Sequence, residues 1–548
     1  MAGTLARALM LLFVLLVAVD AVLGERPPAP VAASAPADAF SAERALRVAH
    51  ALLPEPVPHP VGSLENDLVR ARVVDAFEEL GFHATVETAK ACSKRGRCET
   101  VKNVVAVLPG VREEALLVSA HYDSVPAGPG VGDDLAGAAS VLEIARSLKS
   151  DAPHELSIVF LLDDGEEAGL LGARAFIAES PEARSVRWAV NIDNRGDRGA
   201  AMMFETSDGN ADVIPLFAAS ARRPVASSLF YEVYRRIPND TDFTVWKSAG
   251  IRGLNFAFIS GADRYHTKDD DFVHLDARSV QHEGESALLF ARAIATQPPP
   301  AGSKSDVVYF DLFGAALATC PARFALPLTL AVLFVYLLAA TIRVRQELTS
   351  LRQLVLENAA WLLAVAFAVA LTLALLQVLG RGALFGPTTA GRAAAYTLVG
   401  AAAAALMLGG ARRWVTGASA HGPWVVFMIL GVVVATMVPG ASYLFFFPGV
   451  VAAGSEMVLA LGAPREGSLL RDAGSLLPVA VSAMVWSPVL SGVEAALGMA
   501  IPAIFAVIGA ILLFPAFALC RARKRLLMMS GAATAVALVL LLWTPAVP

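Results

Sequence analysis

Hydrophobicity is spread very unevenly along these 548 residues, and that asymmetry constrains the fold more than any other feature. Charged side chains are dense from Glu43 to Arg292 and sparse beyond Arg323. Past residue 300 the chain becomes a series of charge-poor apolar stretches broken by short basic loops. They lie at about 324–342, 358–380, 393–411, 422–440, 443–463, 473–493, 496–519 and 526–546. Each is close to the roughly 20 residues that carry a helix across a bilayer, and longer than the apolar runs of ordinary buried helices. A hydrophobic fraction of 56% against 17% charged residues points the same way. One more apolar run, Ala8 to Leu23, reads as an uncleaved anchor or a signal peptide, followed by the linker-like RPPAPVAASAPADAF. The expected organisation is an anchor or signal over 1–24, a Pro/Ala-rich linker over 25–40 and a polar domain over 41–298. A second linker over 299–323 then leads to a polytopic helical membrane domain of about eight helices over 324–548.

Loop charge orients the expected spans, because Lys and Arg favour the cytoplasmic side. With the N-terminus inside, that side receives Arg343, Arg345 and Arg352, then Arg412 and Arg413, then Arg465 and Arg471, then Arg521, Arg523, Lys524 and Arg525. The polar domain is thereby expected on the periplasmic or lumenal side, whether or not the first segment is cleaved. Cys92 and Cys98 bracket SKRGR, a turn between two strands, where a disulfide would suit an oxidising compartment and two free thiols are the alternative. A net charge of -5 offers no basic surface for nucleic acid.

Inside the polar domain, apolar strands alternate with amphipathic helices. VRARVVDAFEELGF and AGAASVLEIARSLKS have helical spacing, while NVVAVLPG, EALLVSAHYDS, ELSIVFLLDDG and RWAVNIDNRG read as strands. The pattern predicts an α/β fold with a mixed, mainly parallel sheet and helices on both faces. Such sheets bind ligands at the carboxyl ends of their strands. Metal-ligand residue types stand at those ends: His121 and Asp123, Asp133 and Asp134, Glu166 and Glu167, Asp193, and His266 in a later loop. Any one of them alone is ordinary, since a single histidine or a pair of acids is usually solvated. Their joint placement suggests a metal site, and two histidines with several carboxylates suit zinc.

AHYDSVPAGPGVGDDLAG, DDGEEAGLLGARAF, NIDNRG and YHTKDDD together resemble the successive signatures of the co-catalytic di-zinc aminopeptidase family. The attached membrane half resembles the vacuolar membrane protease and endoplasmic reticulum metallopeptidase branch, although Asp193 stands where that branch often has glutamate. The resemblance implies a zinc-exopeptidase-like fold and two zinc ions per chain. His121 and Asp193 would ligate one ion, Glu167 and His266 the other, with Asp133 bridging. It further implies Glu166 as general base, Asp123 orienting His121, a cis peptide between Asp133 and Asp134, and peptide hydrolysis by a di-zinc-bound hydroxide. Tyr265 is a candidate for stabilising the oxyanion or a packing tyrosine; Asp240 and Asp242 either shape the substrate pocket or cap a helix. Substrates would be peptides, met by an enzyme seated in the lipid bilayer. The alternatives are a glutaminyl-cyclase-like acyltransferase working with one zinc, a receptor with an inactive peptidase-derived domain, and a transporter using Glu456 inside an expected span.

Overall fold

The computed structural model describes residues 26–151, 153–296, 302–379, 389–411, 424–462, 469–497, 502–518 and 523–542. The apolar run Ala8 to Leu23 and the loop arginines Arg412, Arg413, Arg465 and Arg521 lie outside them. Two compact units divide the chain, the first ending at Ala322 and the second resuming at Arg323.

The first unit is built on a seven-stranded sheet: β1 (Ala84–Cys92), β2 (Cys98–Leu108), β3 (Arg112–His121), β4 (Leu156–Asp163), β5 (Val186–Ile192), β6 (Arg198–Thr206) and β7 (Arg252–Ser260). Their order is β1-β2-β4-β3-β5-β7-β6. The central run β4-β3-β5-β7 is parallel, and antiparallel pairings of β2 on β4 and β6 on β7 close its sides. The sequence explains the centre: LLV of β3 and IVFLL of β4 are apolar on both faces, as strands covered on both sides require. Leu116, Val118, Ile158, Phe160, Leu162 and Val190 enter one core with the helices Ala42–Leu52, Leu64–Glu79, Ala136–Ser150 and Ala277–Ala295. The intervening Leu117, Val159 and Leu161 enter a second core with Phe176 of Leu171–Glu179 and Phe243 and Trp246 of Asp242–Ser248. Helices therefore cover both faces, and the parallel strands all open their carboxyl ends toward one edge.

Two stretches expected as linkers are instead held onto this unit. Carbonyls of Ala33, Ala35, Ala37, Asp38 and Ala39 accept hydrogen bonds from Arg44, Arg146, Ser147 and Arg292. The buried carboxylate of Glu143 aligns Arg44 and Arg146 for that task. Phe40 then enters the core over Gly284, where any side chain would collide with its ring. A Pro/Ala-rich segment looks mobile by composition, but its free backbone acceptors make it a good partner for arginines presented by neighbouring helices. Within 299–323, residues Val307–Leu312 (β8) and Ala316–Pro321 (β9) form an antiparallel hairpin. The Tyr309 side chain is fully buried in the main core, and its backbone exchanges hydrogen bonds with the Ser228 hydroxyl at 2.9 and 3.1 Å.

The described residues of the second unit lie mostly in helices. Among them, five are long and apolar enough to cross a membrane: Ala322–Arg345, Leu351–Gln377, Ala394–Ala411, Tyr443–Gly462 and Leu476–Ala495. The other expected spans, 422–440, 496–519 and 526–546, fall on Trp424–Met437, Ala503–Ala518 and Arg523–Leu542, whose described apolar stretches are shorter. Glu456 does not stand alone in its helix, because Arg343 reaches it at 2.6 Å with both side chains buried. Pairing is what a charge withdrawn from water requires.

Tyr309→Ala is expected to destabilise the first unit by about 3–5 kcal/mol, the usual cost of deleting a fully buried aromatic ring. Thermal unfolding of the full-length protein followed by near-UV circular dichroism measures this. An unchanged midpoint would show that the hairpin is not part of the core.

Candidate metal centre

His121 is the last residue of β3 and stands in register with Asp163, the last of β4. Its Nδ1 faces the backbone oxygen of Asp123 at 3.0 Å and that residue's carboxylate at 3.5 Å. The same carboxylate accepts the backbone N–H of Glu166 at 3.0 Å. Asp123 thus ties the histidine to the acidic turn after β4, while His121 Nε2 faces Asp133 Oδ1 at 3.3 Å.

Asp133 sits in an irregular turn, Val131–Leu135, immediately before the helix Ala136–Ser150, and the Asp133–Asp134 peptide is cis. Asp270 clamps this turn, accepting from Gly132 N at 2.6 Å and Asp133 N at 3.2 Å. Gly130 has φ +62°, and a Cβ there would stand 2.6 Å from the Asp133 carbonyl oxygen, so only glycine fits. Asp134 turns away and accepts from Asn194 Nδ2 at 3.0 Å, an amide that also reaches Glu283. Beyond β7, His266 adopts φ +61° and points Nε2 at Asp133 Oδ2 (3.1 Å) and Glu167 Oε1 (2.9 Å).

The result is two donor groups that share one carboxylate. His121, Asp133 and Asp193 form the first, and Asp133, Glu167 and His266 the second, with the donor atoms of each within 4.8 Å of one another. Asp133 Oδ2, Glu167 Oε1, Asp193 Oδ2 and His266 Nε2 are all buried without a hydrogen-bond partner. Lone pairs that converge so closely without satisfying one another fit cations, and imidazole nitrogen with carboxylate oxygen is a zinc donor set.

Electrostatics leads to the same place. Burial, then the charge on Asp193, pushes the Glu166 carboxyl well above its usual range, and burial with the charge on Asp133 takes Glu167 up to about 7. Burial likewise raises Asp193. Burial opposes charge on His266, yet the Asp133 and Glu167 carboxylates outweigh it and raise its pKa to about 10. Asp133 is drawn down to about 2, in spite of its burial, by His121 and His266. Cations placed among these acids would relieve the repulsion that holds so many of them up.

The other expected site residues separate. The Tyr265 ring stacks on His266 with centroids 3.7 Å apart. Asp242 is buried as the first residue of Asp242–Ser248, is pushed up to about 6 by burial, and acts electrostatically on Glu166 and Asp193. Asp240 is exposed and faces Lys94 at 3.9 Å, away from the donor groups. Neither aspartate caps the helix, since Thr241 holds that position. Cys92 and Cys98 are register partners across β1 and β2 and form a disulfide. The tip it closes rests on the acidic loop, for Ser93 Cβ lies 2.7 Å from where a Cβ on Gly169 would stand. Sequence reasoning passed over Asp163, Asp270, Asn194 and Glu283. Asp270 was visible within YHTKDDD, but nothing in that run separates it from its two neighbours.

Residues 103–291 match the model of peptidase family M28. The matched segment holds all five donor residues and Glu166. Vacuolar membrane protease of Eremothecium gossypii is 31% identical over 290 residues, covering 48% of this chain and 28% of that protein. Endoplasmic reticulum metallopeptidase 1 of Mus musculus is 32% identical over 235 residues, or 41% of this chain and 26% of that protein. The chain thus spans less than a third of the length of either relative. Among solved structures, a Zn-dependent exopeptidase from Parabacteroides distasonis is similar with a TM-score of 0.39 and 18% identity, over 47% of this chain and 99% of that one.

Because Asp133 belongs to both donor groups, Asp133→Ala is expected to abolish zinc binding, whereas His121→Ala should leave the second group able to hold one ion. Zinc per chain, measured by elemental analysis after dialysis, distinguishes these outcomes from an equal loss in both. His266 is protonated at neutral pH while its pKa is near 10, and a metal takes only the neutral imidazole. Zinc binding should therefore release protons near pH 7 and tighten as pH rises, which calorimetry in buffers of different ionisation enthalpy detects.

Proposed function

We propose that this chain is a membrane-bound zinc metallopeptidase, aminopeptidase-like, that hydrolyses peptide bonds on the periplasmic or lumenal face of its membrane. The observation that carries the reading is the pair of donor groups joined at Asp133. Two zinc ions held there would supply Lewis acidity, acidifying a water and polarising the scissile carbonyl.

The residues of the chain divide the remaining work. Asp123 fixes the backbone at Glu166, and the Glu166 carboxylate, which is no member of either donor group, takes the proton of the attacking water and returns it to the leaving amine. Its desolvated surroundings make it a strong enough base for that exchange at neutral pH. The Tyr265 hydroxyl serves the developing oxyanion, its ring held by the stack on His266. Asp242 shapes the pocket wall beside Glu166. A cyclase working with a single ion would have no use for the group containing His121, and this favours hydrolysis.

The membrane and its side are read from the helices of the second unit, the loop charges and the chemistry of the first. Five helices suit a bilayer, the basic loops bias their ends toward the cytoplasm, and the Cys92–Cys98 disulfide suits an oxidising compartment.

Glu166→Gln is expected to retain zinc while losing hydrolysis by about 10²- to 10⁴-fold, the range for removing a general base. Full activity in that variant would refute its role. Chelation should abolish turnover and zinc should restore it. A panel of free and N-acetylated peptides tests exopeptidase action, because equal cleavage of blocked and free substrates is incompatible with an aminopeptidase.

A further inference from the structure

Arg195 stands two residues beyond Asp193, and its guanidinium lies over the Tyr265 ring, 5.5 Å from the centroid. That ring in turn stacks on His266, so the cation is one aromatic ring removed from a residue of the second donor group. Its Nε is buried and has no hydrogen-bond partner, and among the described residues no carboxylate pairs with it. The other half-buried arginines of the same unit are all occupied: Arg44, Arg146, Arg252, Arg264 and Arg292 pair with the carboxylates of Glu143, Glu143, Asp212, Asp197 and Asp151, Arg70 with that of Asp67, and Arg72 and Arg174 donate to the carbonyls of Leu52 and Gly169.

The loop that carries Arg195 is rigidly placed. The N–H groups of Asp193 and Arg195 donate to Phe256 and Phe258 of β7, and the N–H of Phe258 donates to the Asn194 side chain at 2.8 Å. Gly196 packs against the Ser260 carbonyl so closely that no side chain fits. A planar guanidinium held at a fixed point, with a desolvated donor left open, is matched by an oxyanion bound through two N–H groups, and in an unmodified peptide that oxyanion is a carboxylate.

We propose that Arg195 recognises a carboxylate of the substrate, so that the substrates cleaved best are peptides carrying one close to the scissile bond. This rests on the peptidase reading above. The carboxylate has two possible sources in a peptide, the free C-terminus of a short substrate or an acidic side chain, and both offer the same two oxygens. Arg195 is a specificity residue and takes no part in proton transfer.

The test uses the full-length, zinc-loaded protein and four matched peptides, with the C-terminus free or amidated and with Glu or Gln after the scissile bond. Wild type should show KM lower by about 10- to 100-fold for the peptides with the recognised carboxylate, as a charge-assisted pair gives. In Arg195→Ala that preference should vanish while the neutral amidated peptide is still cleaved; Arg195→Lys should keep part of it, and Arg198→Ala, an exposed neighbour, all of it. Loss in the free-versus-amidated arm assigns the main-chain carboxylate, and loss in the Glu-versus-Gln arm assigns the side chain. Calorimetric Kd values for a dipeptide product and its amide should show the same difference, and the same loss in Arg195→Ala, without any turnover. If wild type cleaves the neutral peptide and the preference ratios are the same in Arg195→Ala, the inference falls while the peptidase reading stands. If wild type cleaves none of the four, the peptidase reading fails, and equal Kd values for dipeptide and amide then remove the role of Arg195 as well.

Discussion

Four carboxylates, those of Asp133, Glu166, Glu167 and Asp193, meet at one largely desolvated site at the strand ends, and the rest of the α/β unit is arranged around that fact. In a medium of low dielectric, like charges at such separations raise one another's proton affinity, as Glu166, Glu167 and Asp193 show. Two histidines offset part of the repulsion, and the carboxylate they share, Asp133, is the one drawn down to about 2. The buried donor atoms left without hydrogen bonds measure what the protein leaves to a cation. A cluster of this kind is unfavourable by itself, so it persists only where the surrounding structure over-determines the position of each member.

The parallel centre of the sheet meets that need. β3, β4, β5 and β7 are buried on both faces along most of their length, which leaves their ends little freedom, and His121, Glu166, Glu167, Asp193 and His266 follow from those ends. Contacts from outside the sheet then fix what the strands do not. Asp270 holds the turn at Asp133 through two backbone N–H groups. Asp123 joins the ends of β3 and β4. The disulfide-closed tip of β1 and β2 bears on Gly169, in the loop that presents Glu167. Charge is handled by the same rule in the membrane-type unit, where Arg343 and Glu456 are buried only as a pair.

Much of this was legible in the order of residues. Apolar runs ending in His121, Asp163 and Ile192 announce buried parallel strands, because a strand covered on both sides has no polar face to show, and the acids just after them announce a site at the strand ends. The long charge-poor stretches announce membrane-type helices for an equally local reason, since length and composition alone decide whether a helix can cross a bilayer. Local signals misled where backbone found distant partners. The Pro/Ala-rich residues before Ser41 and the stretch containing Tyr309 read as linkers, yet the first is fastened by Arg44, Arg146 and Arg292 and the second sends an aromatic ring into the core.

Sequence by itself determined the fold class and the identities of the groups at the site, because periodicity and side-chain chemistry are properties of short segments. Only the tertiary structure decided how those groups divide: that Asp133 faces both histidines, that Asp242 comes close to Glu166 while Asp240 stays outside, and that Asp270 and not its neighbours clamps the turn. It also singled out Arg195, whose lack of a carboxylate partner is a relation among distant residues. Which lone pairs converge, and which charges go unpaired, depends on distances across the sheet that no neighbourhood along the chain encodes.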